Sequence, residues 1–209
     1  MSIIETAQQL RSLYLPAKER AVKKQLSRLD QHCKNFLALV RFAVLSTADA
    51  HGNMDASPRG GEAGFIKAID DNTVIIPDWT GNNRLDTFSN ILDTGRIGAI
   101  FLVPGVDEAL RINGAASLRN DEAFTSLCEV NGRFPKVVVH IAVKEAYLHC
   151  AKAIMRGQLW APEAKVERKT LPTMNEMLRD QIGEGNMSEP AEPQEIMFER
   201  HKTELYSTK

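Results

Sequence analysis

A short turn between a predicted strand and a predicted helix carries two amide side chains and an arginine. The segment from Ile76 to Leu85 reads IPDWTGNNRL. Free backbone N–H groups and the helix dipole favour negative charge at the start of a helix, whereas an arginine there opposes the dipole unless an anion offsets it. The turn therefore indicates an anion site at Asn82, Asn83 and Arg84. The alternative is a simple helix cap, in which Asn82 or Asn83 accepts from a free backbone N–H.

A second arginine follows the strand-like segment that begins at Met54 and precedes two glycines, in the sequence SPRGG from Ser57 to Gly61. Glycine lets a flat ligand approach the backbone closely, and a guanidinium binds phosphate through paired hydrogen bonds. Arg59 is therefore a candidate phosphate ligand. The alternative is a solvated arginine at the end of a hairpin.

A third cluster is the segment LRING from Leu110 to Gly114. Side chains alternate between the two faces of a strand, so Arg111 and Asn113 share a face. That face either contacts a ligand or is the solvated side of a sheet.

A fourth cluster begins at His149 and reads HCAKAIMRGQLW. If the segment is helical from its first residue, His149, Lys152 and Arg156 lie on one side, and Trp160 follows one turn later. Three potential cations on one helix face form either a binding surface or a solvated one.

The elements that position these clusters are mostly strands. Helical spacing of apolar residues predicts helices over residues 1–40, and a helix of about ten residues follows from Arg84. Six or seven strands with short connections favour an antiparallel barrel or sandwich over a doubly wound sheet. The predicted strands are Phe42–Thr47, Met54–Ser57, Phe65–Ile69, Thr73–Pro77, Arg96–Val103, Ala109–Leu118 and Val137–Leu148.

Composition sets limits on the class of protein. The chain has 209 residues and a formal net charge of -1, which suits one domain and argues against a nucleic-acid binder. Its three cysteines are far apart and form neither a disulfide framework nor a zinc motif, so a reducing cytoplasm is expected. No apolar run is long enough to span a bilayer, and no signal peptide is expected.

Taken together, the clusters resemble a known family. Their order and spacing are similar to those of the flavin-binding split barrels related to pyridoxamine 5'-phosphate oxidase, and especially to a subgroup of probable FMN-dependent proteins. The resemblance covers roughly residues 20–165 of the chain. The segments that carry it are Ser57–Gly60, Ile76–Arg84, Phe101–Gly105, Leu110–Gly114 and His149–Arg156.

The resemblance implies a mainly β, α+β fold: a six-stranded antiparallel split barrel with flanking helices. It implies a single domain with N-terminal helices over 1–40, a barrel over 41–150 and a helical segment over 151–209. It also implies a homodimer with FMN sites at the protomer interface.

Residue roles follow from the same resemblance. Arg59, Asn83 and Arg84 would bind the FMN phosphate, and Arg111 with the helix after His149 would approach from the partner or close the cleft. The implied cofactor-binding set is Ser57, Pro58, Arg59, Gly60, Ile76, Pro77, Asp78, Asn82, Asn83, Arg84, Leu85, Arg111, Lys152, Arg156 and Trp160.

The implied function is that of an FMN-dependent oxidoreductase acting on a small molecule. The flavin carries the electron or hydride chemistry, so no catalytic side chain is assigned. The C-terminus lacks the Trp and Arg-Leu motif of true pyridoxamine-phosphate oxidases, which disfavours vitamin B6 oxidation. The alternatives are a flavin carrier without turnover and a haem-binding split barrel, for which His149 is a better axial ligand than His140. Cys150 is expected to be a small buried residue.

Overall fold

One antiparallel sheet of seven strands organises the chain, and the computed structural model describes residues 3–183, 186 and 192–207. Neighbouring strands follow the order β2-β1-β5-β6-β7-β4-β3. The predicted antiparallel α+β architecture is confirmed, and the strand beyond the expected six is the two-residue β3. The strands are β1 Phe42–Ala48, β2 Met54–Gly60, β3 Lys67–Ala68, β4 Thr73–Asp78, β5 Arg96–Leu102, β6 Ala109–Arg119 and β7 Val137–His149.

Short α-helices come before, between and after the strands along the chain. None of them is long and apolar enough, within the residues described, to cross a membrane. The helices are α1 Ala7–Ser12, α2 Glu19–Lys23, α3 Gln31–Leu37, α4 Asp86–Thr94, α5 Glu122–Thr125, α6 Lys152–Gly157, α7 Met174–Ile182 and α8 Gln194–Glu204.

The core lies on one face of the sheet and is sealed by α3 and α4. Strands β1 and β5 alternate between buried and half-buried residues, which is the pattern of a sheet covered on one side. Leu45, Phe101 and Ile112 are fully buried at its centre. Each such side chain contributes roughly 1.5–3 kcal/mol of transfer free energy on leaving water.

The sheet curls until its two ends meet. A bulge at Asn113 and Gly114 lets the long strands β6 and β7 bend, and a Cβ at Gly114 would collide with the carbonyl oxygen of Ala142. Strands β2 and β4 are far apart in the hydrogen-bonded order, yet Nη2 of Arg59 on β2 lies 3.7 Å from Oδ1 of Asp78 on β4. The barrel is therefore closed there by side chains instead of a backbone ladder. We call this junction the seam.

Several local predictions were wrong because tertiary pairing outweighs local periodicity. The helical pattern after Pro16 is broken because Leu26 exchanges two 2.9 Å backbone hydrogen bonds with Ala146. The strand expected over Phe65–Ile69 is only β3. Within the helical segment expected over 151–209, residues 184, 185 and 187–191 lie outside the described residues, and α7 and α8 lie on either side of them. The division of the chain at residues 40 and 150 stays a prediction.

Candidate functional site

A cleft of about 300 Å³ opens at the seam. The end of β2, the end of β4, the turn after β4 and the first turn of α4 form its walls, and one residue comes from the C-terminal segment. The lining residues are Ser57, Pro58, Arg59, Gly60, Pro77, Asp78, Trp79, Thr80, Gly81, Asn82, Asn83, Arg84, Leu85, Asp86, Thr87, Phe88 and Leu205. The first two sequence clusters therefore converge on one site.

Two prolines sit in the strands that border this cleft. Proline cannot donate to a ladder, so it is tolerated only where a strand has a free edge. Pro58 lies on β2, an edge strand of the sheet. Pro77 pairs with Val138 on one side, while β3 on the other side ends at Lys67, opposite Ile75. The short β3 and the two prolines thus leave backbone unpaired next to the cleft.

The turn between β4 and α4 differs from the predicted helix cap. Helix α4 begins at Asp86, and its cap residue Leu85 has a left-handed φ of 61° and no capping side chain. Asn82 uses Oδ1 to accept from the backbone N–H of Arg84 at 3.1 Å, and Asn83 is itself left-handed at φ 56°. The amides therefore shape the turn that comes before the helix, because asparagine tolerates this conformation and forms such local turns.

Arg59 is the most enclosed charged group of the cleft. Its side chain is 20% exposed, and its guanidinium carbon lies 5.9 Å from the centre of the Phe88 ring. Nη1 donates to the carbonyl oxygen of Pro58 at 2.9 Å. Nε is buried and has no hydrogen-bond partner in the part of the chain that the structure describes. A buried donor left unpaired is costly, so this atom favours an acceptor in the cleft.

Each arginine of the cleft already faces a carboxylate. Arg84 donates from Nε to Oδ2 of Asp86 at 2.7 Å, and this hydrogen bond raises the pKa of Arg84. Asp78 sits 3.7 Å from Arg59, and burial raises the pKa of Asp78 although the guanidinium opposes that shift. An incoming anion must therefore exchange with these carboxylates or bind beside them.

Asp55 connects two walls of the cleft from behind. Its carboxylate accepts from Ser57 Oγ at 3.0 Å and from Thr87 Oγ1 at 2.6 Å. Because both hydroxyl protons point at Asp55, the free lone pairs of Ser57 and Thr87 are acceptors. Strand β2 and helix α4 are fixed relative to each other by this shared acceptor.

The remaining predicted site residues lie elsewhere in the protomer. Ile76 is fully buried in the core and shows no side chain to the cleft. Arg111 stacks 5.2 Å from the centre of the Tyr147 ring, on a strand three places from β2. Lys152 and Arg156 are exposed on α6. Trp160 donates from Nε1 to the carbonyl oxygen of Val106 at 2.9 Å.

The fourth cluster is not one helix face. His149 is the last residue of β7, so it does not share a helix with Lys152 and Arg156. Helix α6 ends at Gly157, and the following Gln158 is left-handed, so Trp160 does not continue the helix. Cys150 is exposed, which contradicts the expectation that it is buried, because it follows the end of β7. Among the described residues, no group of three His, Cys, Asp or Glu side chains could hold a metal ion.

Sequence reasoning missed several lining residues. Trp79, Thr80 and Gly81 lie inside the segment Ile76–Leu85 but were not singled out as site residues. Extending the segment by three residues at its end would have found the others, Asp86, Thr87 and Phe88. Leu205 had no signal, because it lies more than one hundred residues away in a polar tail.

Comparisons with known proteins identify the family. A family model described as pyridoxamine 5'-phosphate oxidase matches residues 29–150. Solved structures of similar shape include HupZ of Group A Streptococcus, which is 24% identical with a TM-score of 0.48, covering 57% of this chain and 93% of that one. A putative pyridoxamine 5'-phosphate oxidase from Lactobacillus delbrueckii is 21% identical with a TM-score of 0.45, covering 59% and 98%.

An FMN-binding protein from Syntrophomonas wolfei is 18% identical with a TM-score of 0.41, covering 56% of this chain and 80% of that one. No curated protein matches the chain. At these TM-scores the assignment rests on the family model, whose match spans more than half of the sequence and confirms the resemblance seen in the motifs. The chain therefore belongs to the pyridoxamine 5'-phosphate oxidase family.

Proposed function

We propose that the chain binds FMN in the seam cleft and acts as an FMN-dependent oxidoreductase on a small molecule. The observation that carries the proposal is the buried, unpartnered Nε of Arg59 among the described residues, in a cleft that also contains Arg84. A guanidinium with a free donor in a partly buried site suits a phosphate, which offers several acceptor oxygens.

The residues present fit the rest of that cofactor. Arg59, Asn83 and Arg84 would hold the phosphate, because they bring two cations and an exposed left-handed turn to the lining of the cleft. Pro77 and Asp78 would lie along the ribityl chain and ring, next to Phe88. Ser57 and Thr87, whose protons are held by Asp55, present acceptors to sugar hydroxyls.

The proposed reaction needs few acid–base side chains from the protein. FMN supplies electron or hydride transfer when bound, and the chain's residues bind it, orient it and limit water. No histidine or cysteine is among the described residues that line the cleft. Among the lining residues that the structure describes, the acids are Asp78 and Asp86, and burial raises the pKa of Asp78. Asp78 is therefore the residue of this cleft best suited to hold a proton near a substrate.

We propose further that the protein is a homodimer with each site at the protomer interface. Within one protomer Arg111 is three strand spacings from Arg59, which is about 14 Å along the sheet. Arg111, Lys152, Arg156 and Trp160 do not line the cleft of their own protomer, so we expect them to approach a ligand from the partner subunit.

Mixed dimers of Arg59→Ala and Arg111→Ala chains, purified with two tags, test this arrangement. If each site takes Arg59 from one chain and Arg111 from the other, a mixed dimer contains one intact site and regains up to half of the wild-type FMN capacity. If both arginines serve the same site from one chain, no site is intact and no capacity returns. A monomer in sedimentation that still holds FMN would also contradict the proposal.

The first experiment is the absorbance spectrum of the purified protein, followed by mass analysis of any released cofactor and titration with FMN. We expect a flavin spectrum and one FMN per chain.

Arg84→Ala should weaken binding, and Arg119→Ala is the matched control. Arg119 donates from Nε to Asp121 Oδ2 at 2.8 Å, the same spacing and geometry as Arg84 with Asp86, but it lies outside the cleft. Equal affinity in both variants would remove Arg84 from the site.

The competing function is a flavin carrier without turnover, which would use the same cleft. An oxidoreductase reduces its bound flavin with NAD(P)H or a substrate faster than free FMN reacts, and a carrier does not. A Soret band in the first spectrum would instead favour haem. None of the cleft-lining residues described is a histidine, so a histidine ligand for haem would have to come from outside it, for example His149 or His140.

A further inference from the structure

The last described residues of the chain lie against the candidate site. Leu205, Tyr206 and Ser207 follow α8, and we call them the strap. Leu205 borders the seam cleft, Tyr206 borders a second cavity of about 140 Å³, and Ser207 borders a third of about 260 Å³. Trp79 lines all three cavities. The strap thus lies where three spaces around one tryptophan meet.

Three contacts with other described residues help to hold the strap in place. Thr80 donates from Oγ1 to the carbonyl oxygen of Ser207 at 2.6 Å. Arg133 donates from Nη1 to the carbonyl oxygen of Tyr206 at 3.3 Å. The Tyr206 ring meets Trp79 edge to face, with 5.2 Å between ring centres. Two of these contacts fall on residues that line the seam cleft, Trp79 and Thr80.

Among the described residues, this end of the chain buries little apolar surface. No residue of α8 is buried, and Leu205 is 59% exposed. An element with so little apolar burial contributes little to the stability of the fold, and such elements open at low free energy.

We propose that the strap is a wall of the ligand site that closes over the bound molecule and slows its release. In the closed position it separates the three cavities around Trp79. When it lifts, they join into one longer groove through which a ligand enters and leaves. The proposal rests on the proposed function for the identity of the occupant, FMN. It adds residues that no sequence motif marked, and it makes the C-terminal segment a determinant of how large a molecule the site accepts.

The turn between β4 and α4 connects the strap to the ligand site. Thr80 binds the strap, and the residues that follow it, Gly81 to Leu85, line the cleft. A ligand that orders this turn also fixes Thr80, the partner of Ser207. Occupancy and strap closure therefore favour each other.

Two variants loosen the strap without altering the candidate phosphate ligands. One ends the chain after Glu204, and the other is Arg133→Ala, which removes a strap contact from outside the seam cleft. Arg119→Ala removes another exposed arginine, one that pairs with Asp121 and does not contact the strap, and is the control. FMN release is followed by dilution into apoflavodoxin or another flavin trap. We expect release about tenfold faster in the shortened chain, a smaller acceleration in Arg133→Ala, and the wild-type rate in Arg119→Ala.

A second measurement needs no flavin. In a Trp160→Phe background, Trp79 is the only tryptophan, and acrylamide quenching reports its accessibility. Ligand-free shortened chain and Arg133→Ala should both be quenched more strongly than the parent. Unchanged quenching would show that the strap does not cover Trp79 and would overturn the proposal, whatever FMN does. Stronger quenching with an unchanged release rate would overturn its role in retention. A parent protein that binds no FMN would overturn the proposed function, and with it the flavin-retaining role of the strap.

Discussion

The seam cleft and the patch around Tyr147 contain the same kinds of groups in different arrangements. In each, cations lie over an aromatic ring: Arg59 over Phe88 at 5.9 Å in the cleft, and Arg111 and Lys24 over Tyr147 at 5.2 and 5.6 Å in the patch. Only the cleft adds a buried donor without a partner in the described chain and a carboxylate facing that same arginine. In the patch, Lys24 already donates to the carbonyl oxygen of Leu148 at 2.6 Å.

The difference shows what turns stacked cations into a candidate anion site. Stacking on an aromatic ring orients a guanidinium but leaves its donors free for water. In the cleft, partial burial removes that water, so the remaining donor needs a solute partner. The nearby Asp78 and Asp86 keep the charge balanced and make anion binding an exchange of partners.

Removing Arg59 should have the largest effect on FMN binding. Arg59→Ala deletes the most enclosed cation of the cleft, and charge-assisted hydrogen bonds to phosphate are worth about 1.5–3 kcal/mol each, so affinity should fall on the order of 100-fold. Fluorescence titration with FMN measures it. Arg59→Lys should recover only part of the loss, because an ammonium lacks the planar donor pair. An affinity unchanged in Arg59→Ala would exclude the seam as the phosphate site.

The charge of Asp78 should set the pH dependence of binding. Burial raises the pKa of Asp78 above its ordinary 3.8, so wild-type affinity for FMN should fall as pH rises through the raised value and the carboxylate begins to repel the phosphate. Asp78→Asn removes that repulsion and frees Arg59, so we expect roughly tenfold tighter binding at neutral pH.

The phosphate itself titrates near pH 6. Its contribution is common to both proteins and cancels in the ratio of their dissociation constants. That ratio should grow with pH in the window above 3.8 and then level off. A ratio independent of pH would contradict the assignment.

The same shift has a consequence for stability. A carboxyl group whose pKa is raised in the folded state binds its proton more tightly there than in the unfolded chain. Its contribution to the free energy of unfolding is therefore fully present below 3.8 and is lost as pH rises through the raised pKa. The Asp78→Asn variant should lack this loss in chemical denaturation measured across that window.

The sequence predicted the elements whose pattern is local and missed those set by distant partners. Strand β5 was predicted within one residue of its end because its apolar run of strand length is a local feature of the sequence. The cap at Asn82 or Asn83 was wrong because the asparagines adopt turn conformations one step before the helix. Residue spacing alone could not show that β2 and β4 meet, since this depends on how far the whole sheet curls. Residue spacing could not show that Leu205 borders the cleft either, because this contact also depends on the tertiary fold.

The smallest effect on FMN affinity should come from the exposed Arg84–Asp86 ion pair. A similar pair, Arg119–Asp121, lies outside the cleft and serves as the control. Asp86 holds Arg84 through a hydrogen bond between side chains that are 44% and 72% exposed, and such surface pairs are weak. Asp86→Ala should therefore free Arg84 for phosphate and tighten FMN binding about threefold. Asp121→Ala frees Arg119 from the matched pair and should leave FMN binding unchanged, because that arginine lies outside the cleft.

Measuring FMN affinity at different salt concentrations tests how Asp86 acts. The gain in Asp86→Ala comes from a charge interaction at the surface, so it should shrink as ionic strength rises above physiological values. A gain that persists at high salt would mean that Asp86 acts through the start of α4, of which it is the first residue, instead of through Arg84. A loss of affinity in Asp86→Ala would mean that Asp86 positions Arg84 for the ligand instead of competing with it.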